Sequence, residues 1–283
     1  MKNIKPYDGD SYDFFENVVK SKRNSKKNPK IKERLEILKP SLKIPFSSYD
    51  NNCQTKTLEL LSPATLSEQE QKDLLELYSY KGKAFQELKI KLTTNKNNRK
   101  RYKCQNCTLS EVNSFDHFIP KGEFPEFAVH PKNLVPSCTK CNSKKSTMWR
   151  ESGKSVFLNL YVNELPKEQF LFVDITVNRI YDIDLNYYLE NKNGIEDDLF
   201  QLLEHHYNKL NLFQRFKENS DDIITEIENS INSYLKTKLS LKEIIDVIVE
   251  KNKEDKIQFG MNYWKSILEF ALIHNKDFLA RFI

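Results

Sequence analysis

Four short strings stand between residues 104 and 145: C-Q-N-C at 104–107, F-D-H-F-I-P at 115–120, P-K-N-L-V-P at 131–136 and S-C-T-K-C-N-S-K-K at 137–145. The first and last hold two CxxC pairs, Cys104/Cys107 and Cys138/Cys141. Each pair presents two sulfurs from one turn of chain, and four thiolates in two such pairs suit a closed tetrahedral zinc site. A closed site leaves no position for substrate, so these cysteines are expected to hold the region together. The chemistry is expected between them, where Asp116-His117 and Asn133 lie, with Asn142 directly after the last cysteine.

Residues 111–119 have the length and composition of a strand, 133–136 read as the start of its partner, and a helix is expected from Cys138 to Trp149. Asn142 and Lys145, three apart, then share a helix face. Between the strands a loop carries Gly122, Pro125 and Pro131, with Phe124 and Phe127 expected to pack inward.

This arrangement resembles the HNH endonucleases. In that family an Asp-His pair ends the first strand, an Asn-Leu-Val-Pro-like run opens the second, and the helix carries CxxCN-x-x-K. Here these are Asp116-His117, Asn133-Leu134-Val135-Pro136, and Cys138 through Asn142 to Lys145. The resemblance implies an α+β fold: a ββα-metal core with a structural zinc, flanked by mainly helical N- and C-terminal regions. It also implies phosphodiester hydrolysis assisted by a divalent cation, Mg²⁺ or Mn²⁺. Asp116 would supply an anionic ligand and Asn142 a neutral oxygen, a donor set suited to a hard cation. His117 would be the general base, because an imidazole of ordinary pKa accepts a proton near neutrality. The resemblance assigns Asn133 to bracing the loop that fixes the histidine. Lys145 would bind a phosphate oxygen, with Lys144 as substitute.

The 283 residues, 39% of them hydrophobic, can support one large or two modest domains. No run of about 18 apolar residues occurs, and M-K-N-I-K-P-Y-D has no apolar signal region, so a cytoplasmic chain without membrane contact is expected. An odd count of five cysteines argues against a disulfide framework, and Cys53 is left as an inert thiol. The net charge is +5; residues 181–283 hold 13 Lys/Arg against 19 Asp/Glu, a net of −6, which leaves +11 on residues 1–180. The basic residues concentrate in 20–34 and 81–103, and the part from Lys96 to Lys103 abuts the first CxxC. Positive charge beside a phosphodiester site fits a polyanionic substrate.

Three regions are expected: a basic, mainly helical 1–98, a nuclease core with added strands at 99–190, and an acidic helical 191–283. Helices are expected in the first 18 residues and at 31–38, where Pro40 stops the run. Another begins at Ser67, where Glu70 completes a capping box, and a fourth spans 85–92 after Gly82. The stretch 41–62 reads as turn-rich. Added strands are expected at 156–160, 170–177 and 180–189, followed by helices capped by Ser220 and Ser240. Of the other histidines, His130 is expected on a loop surface, and His205 and His206 on a helix with one facing the core.

The expected function is DNA hydrolysis leaving a 5′ phosphate. The segment F-L-N-L-Y-V-N-E-L-P at 157–166 is similar to longer bacterial HNH proteins, including the nuclease components of Septu-type anti-phage systems, which act with an ATPase partner. The chain has no G-x-x-x-x-G-K-[ST] loop of its own, so such an ATPase would dock through the acidic C-terminal region. Two other readings stay open: a ribonuclease toxin, because hydrolysis needs no 2′-hydroxyl, and a zinc-dependent nucleic-acid-binding or interaction module without catalysis.

Overall fold

The structure is a computed structural model that describes residues 1–95, 97–179 and 182–283. The chain divides into two compact units, Asn3–Glu164 and Met1–Lys2 with Leu165–Ile283. The expected helical N-terminal region and the cysteine-bracketed core therefore share one unit, while the long added strands belong to the other.

In the first unit α1 (Ser11–Ser21), α2 (Ile31–Leu38), α3 (Lys43–Thr55), α4 (Glu68–Leu77) and α5 (Lys83–Thr93) precede the core. Asp10 caps α1 by accepting from Tyr12 and Asp13 N–H, and Ser67 and Glu70 close the expected capping box on α4. Their apolar faces meet in one cluster that includes Phe15, Val19, Leu35, Phe46, Leu74 and Phe85. The same cluster takes in Phe115, Val129 and Leu134 from the cysteine-bracketed region, which is why the two fold together. Helix α3 lies in the stretch read as turn-rich. It buries only Phe46 and Tyr49, too few apolar positions to mark a helical period.

The core is a two-stranded antiparallel sheet of β1 (Ser114–His117) and β2 (Leu134–Ser137), followed by α6 (Thr139–Lys145). β1 is shorter than the expected strand, because its N-terminal side is held by a separate Lys103–Glu111 bridge and a Val112 N–H to Tyr102 carbonyl bond. α6 stops at Lys145 instead of reaching Trp149, since Ser146 turns left-handed at φ 56°. Residues 156–160 do not form a strand. Asn159 organises them as turns, its carbonyl accepting from Val162 and Asn163 N–H. A short hairpin of β3 (Arg150–Glu151) and β4 (Lys154–Ser155) precedes them.

The second unit opens with the hairpin of β5 (Leu171–Arg179) and β6 (Asp182–Leu189). The expected strand at 180–189 begins partly outside the described residues, at Ile180 and Tyr181. Helices α7 (Asp197–Lys209), α8 (Leu212–Glu218), α9 (Asp221–Lys236), α10 (Leu241–Phe259), α11 (Trp264–Leu272) and α12 (Lys276–Leu279) complete it. Ser240 and Glu243 form the expected capping box on α10. Ser220 does not cap α9: its hydroxyl donates to the Phe216 carbonyl and meets the Tyr187 hydroxyl instead. His206 is buried on α7, and His205 is half-exposed. No described helix is long and apolar enough to cross a membrane.

Candidate active site and metal centre

Cys104 and Cys107 lie on the turn before β1, whereas Cys138 is the N-cap of α6 and Cys141 lies in its first turn. All four are buried, and their sulfurs lie within 4.8 Å of one another, Cys107 Sγ to Cys138 Sγ being 3.9 Å. Zinc–sulfur bonds of about 2.3 Å in a tetrahedron place sulfurs about 3.8 Å apart, a spacing that a set gathered this closely suits. The thiols press on each other: hydrogen bonding within the set draws Cys107 down to about 6 and Cys138 lower, and pushes Cys104 and Cys141 up. A dication removes the conflict by taking four thiolates at once. Cys53 is outside this set, and burial pushes its thiol up to about 11, consistent with an inert group.

Asp116 and His117 are the last two residues of β1, paired with Val135 and Leu134 of β2. Asp116 is buried, and burial raises its carboxyl against the opposing pull of Lys145. Lys145, expected to reach a phosphate, is instead 1% exposed. Its ammonium donates to Asp116 Oδ1 at 3.1 Å, to the His117 carbonyl at 2.9 Å and to the Phe118 carbonyl at 3.1 Å. An ammonium has three protons, so all are engaged. The reason is the packing of α6 over β1, which aims the side chain into the strand end.

Asn142, one helical turn earlier, donates from Nδ2 to the Phe115 carbonyl at 3.1 Å. The same packing thus brings Asp116, Asn142 and Lys145 to one neighbourhood. The Asn142 amide oxygen is left as an acceptor there. A carboxylate and an amide oxygen are hard donors, the chemistry that a cation such as Mg²⁺ or Mn²⁺ would require of these two residues.

His117 lies against Tyr78, whose ring meets it edge-on at 4.6 Å between centroids. Its Nε2 is 2.8 Å from the Ala128 carbonyl. A carbonyl only accepts, so Nε2 carries the proton and Nδ1 has the lone pair. Burial pulls the imidazolium down to about 3, opposed by the Ala128 carbonyl and reinforced by Lys121 and Lys145. The ring is therefore neutral near pH 7.

Asn133 is fully buried and laces the loop to both strands. Its Nδ2 donates to the Ile119 and Phe127 carbonyls, and its Oδ1 accepts from Ile119 N–H at 2.8 Å. Residues from the helical region complete this brace. The Tyr49 hydroxyl on α3 lies 3.1 Å from Asn133 Oδ1 and 3.3 Å from the Lys132 carbonyl. Tyr49→Phe is expected to lower stability by about 1 kcal/mol and to slow any reaction that depends on the loop, as denaturant unfolding and rate measurements on the one variant would show.

His130 is not on the surface: it is 0% exposed, its ring tilted against those of Tyr49 at 4.1 Å and Phe46 at 4.6 Å between centroids. Helix α3, unread in the sequence, is what covers it. Its Nδ1 accepts from Lys132 N–H, and Nε2 lies 3.5 Å from Asp50 Oδ1. Burial holds its imidazolium well below the usual range. Unfolding returns His117 and His130 to an ordinary pKa of about 6.5, so the unfolded chain takes up protons first as pH falls. Stability is then complete above about pH 6.5 and declines below it. Denaturant unfolding at about pH 7 and about pH 5 is expected to show the loss, and His130→Gln to make it smaller.

Residues 104–147 match the HNH endonuclease family model, so the chain carries an HNH endonuclease domain. Two curated relatives extend the likeness. Protein ea31 of Escherichia phage lambda is 26% identical over 189 residues, 62% of this chain and 63% of that protein. Septu protein PtuB of Bacillus thuringiensis is 37% identical over 75 residues, 25% of this chain and 28% of PtuB. The chain thus spans less than two thirds of either relative. No solved structure matches.

Tyr49 and Tyr78, which touch Asn133 and His117, are neighbours of the motif that sequence reasoning missed. Tyr49 and Tyr78 come from helices far from the motif, and only their place on apolar helical faces could have marked them.

Proposed function

We propose that this chain is a metal-dependent endonuclease that hydrolyses DNA phosphodiester bonds and serves anti-phage defence with a partner ATPase. One observation carries the catalytic reading: the Ala128 carbonyl accepts the His117 Nε2–H at 2.8 Å, which leaves Nδ1 as the ring's acceptor at the strand end that also carries Asp116. Likeness to a Septu protein supports the defence role, and the acidic C-terminal region is the surface offered to the partner.

His117 Nδ1 takes a proton from water as the water oxygen bonds to phosphorus and the bond to the 3′ oxygen breaks. The 3′ oxygen is protonated from solvent, and the phosphate stays on the 5′ side. A bound hard cation, held by Asp116 and Asn142, would offset charge on the phosphoryl and leaving oxygens. Lys145 balances the buried Asp116 charge and fixes the backbone from His117 to Phe118, which orients the imidazole. A phosphate arriving beside the ring raises the imidazolium pKa again, towards the range where a base works best.

The test is nicking of supercoiled plasmid, with structured RNA alongside, in Mg²⁺ and in Mn²⁺. The expected result is metal-dependent nicking that Asp116→Asn abolishes. Plasmid retention without cleavage in either metal would leave a binding module, and cleavage of RNA alone would leave a ribonuclease.

A further inference from the structure

We propose that Lys121 is a catalytic residue, the cation that contacts a non-bridging oxygen of the scissile phosphate. This inference rests on the phosphodiesterase reading above. With all three Lys145 protons engaged, Lys145 does not supply that contact, and the other basic side chains of the motif region differ in what already holds them. Arg150 is paired with Glu123 and donates to the Glu59 and Leu61 carbonyls. Lys132 is paired with Asp50 at 2.9 Å. Lys144 is next to Lys145 on α6, about 100° around the helix from the side chain aimed at β1.

Lys121 differs from all of these. It follows Pro120 on the loop that leaves β1, and its ammonium lies 4.7 Å from the centroid of the Tyr78 ring. That is the ring that meets His117 edge-on. Among the described residues no carboxylate lies within ion-pair distance of it. An aromatic face steadies an ammonium without neutralising it, so the charge stays available to an anion. The side chain is half-buried, and desolvation lowers its pKa. A partly desolvated cation without a counter-ion gains more from an arriving phosphate than a fully solvated one does. The ammonium and the imidazole thus both pack on the one Tyr78 ring, which brings the cation into the neighbourhood of the base.

The test uses the zinc-loaded full chain and single-turnover nicking at saturating protein and Mg²⁺. Lys121→Met keeps the stem over Tyr78 and removes the charge; Lys121→Arg restores it. Lys121→Met is expected to slow the cleavage step by about 10- to 100-fold while plasmid affinity, zinc content and thermal midpoint stay near wild type, with Lys121→Arg recovering part of the rate. A Lys121→Met protein that nicks at the wild-type rate overturns the proposal while Asp116→Asn still fails to cut, so the broader reading survives. A change in affinity with the saturated rate intact also overturns it, since the contact would then lie elsewhere on the backbone. Absence of cleavage by the wild type overturns both.

Discussion

Replacing His117 with alanine is expected to lower plasmid nicking by more than about a hundredfold while leaving zinc bound, because a general base contributes on that scale. The argument is local. The Ala128 carbonyl takes the Nε2 proton, which leaves Nδ1 as the ring's acceptor. Alanine removes that lone pair and the edge-on partner of Tyr78, but it touches neither the cysteines nor the Lys145 contacts. His117→Gln keeps a donor for Ala128 and no base, so it separates the two losses: it should be better folded than the alanine variant and equally inactive. Initial nicking rates with zinc content measured on the same samples check this. An alanine variant that still cuts would remove His117 from the role.

Replacing Cys138 with serine is expected to cost zinc and fold together. Cys138 contributes twice, as one of four clustered sulfurs and as the N-cap of α6, where its Sγ accepts from Cys141 N–H at 3.4 Å. Serine can still cap a helix, so the loss isolates the metal. Structural zinc contributes roughly 10 kcal/mol or more where site and fold form together, as much as the whole stability of an ordinary domain, about 5–15 kcal/mol. Helix α6 carries Asn142 and Lys145, so its loss would scatter the site as well. Metal analysis and a thermal melt of the purified variant read both effects. A soluble, zinc-free and active protein would overturn the division between structural cysteines and reacting residues.

The cysteine pairs and the Asp116-His117 and Asn142 positions were readable because their spacing is local: a CxxC closes on one turn, and adjacent residues of a strand end stay adjacent. Capping boxes at Ser67 and Ser240 were readable for the same reason, each needing only residues three apart. Ser220 shows the limit. It has a capping residue's identity, but its hydroxyl is drawn to Phe216 and Tyr187 by packing. Helix α3 was hidden because a short face of Phe46 and Tyr49 is too sparse for a period.

By itself the sequence determined that four thiols would gather and that a carboxylate, an imidazole and an amide would be carried on one strand end and one short helix. Only the tertiary structure decided what surrounds them. It turned Lys145 inward onto Asp116, placed Tyr49 against Asn133, buried His130 under α3 and set Lys121 over Tyr78 beside His117. The physical reason is range. Backbone geometry relates residues a few positions apart, whereas partners brought together from distant helices depend on how whole apolar faces pack.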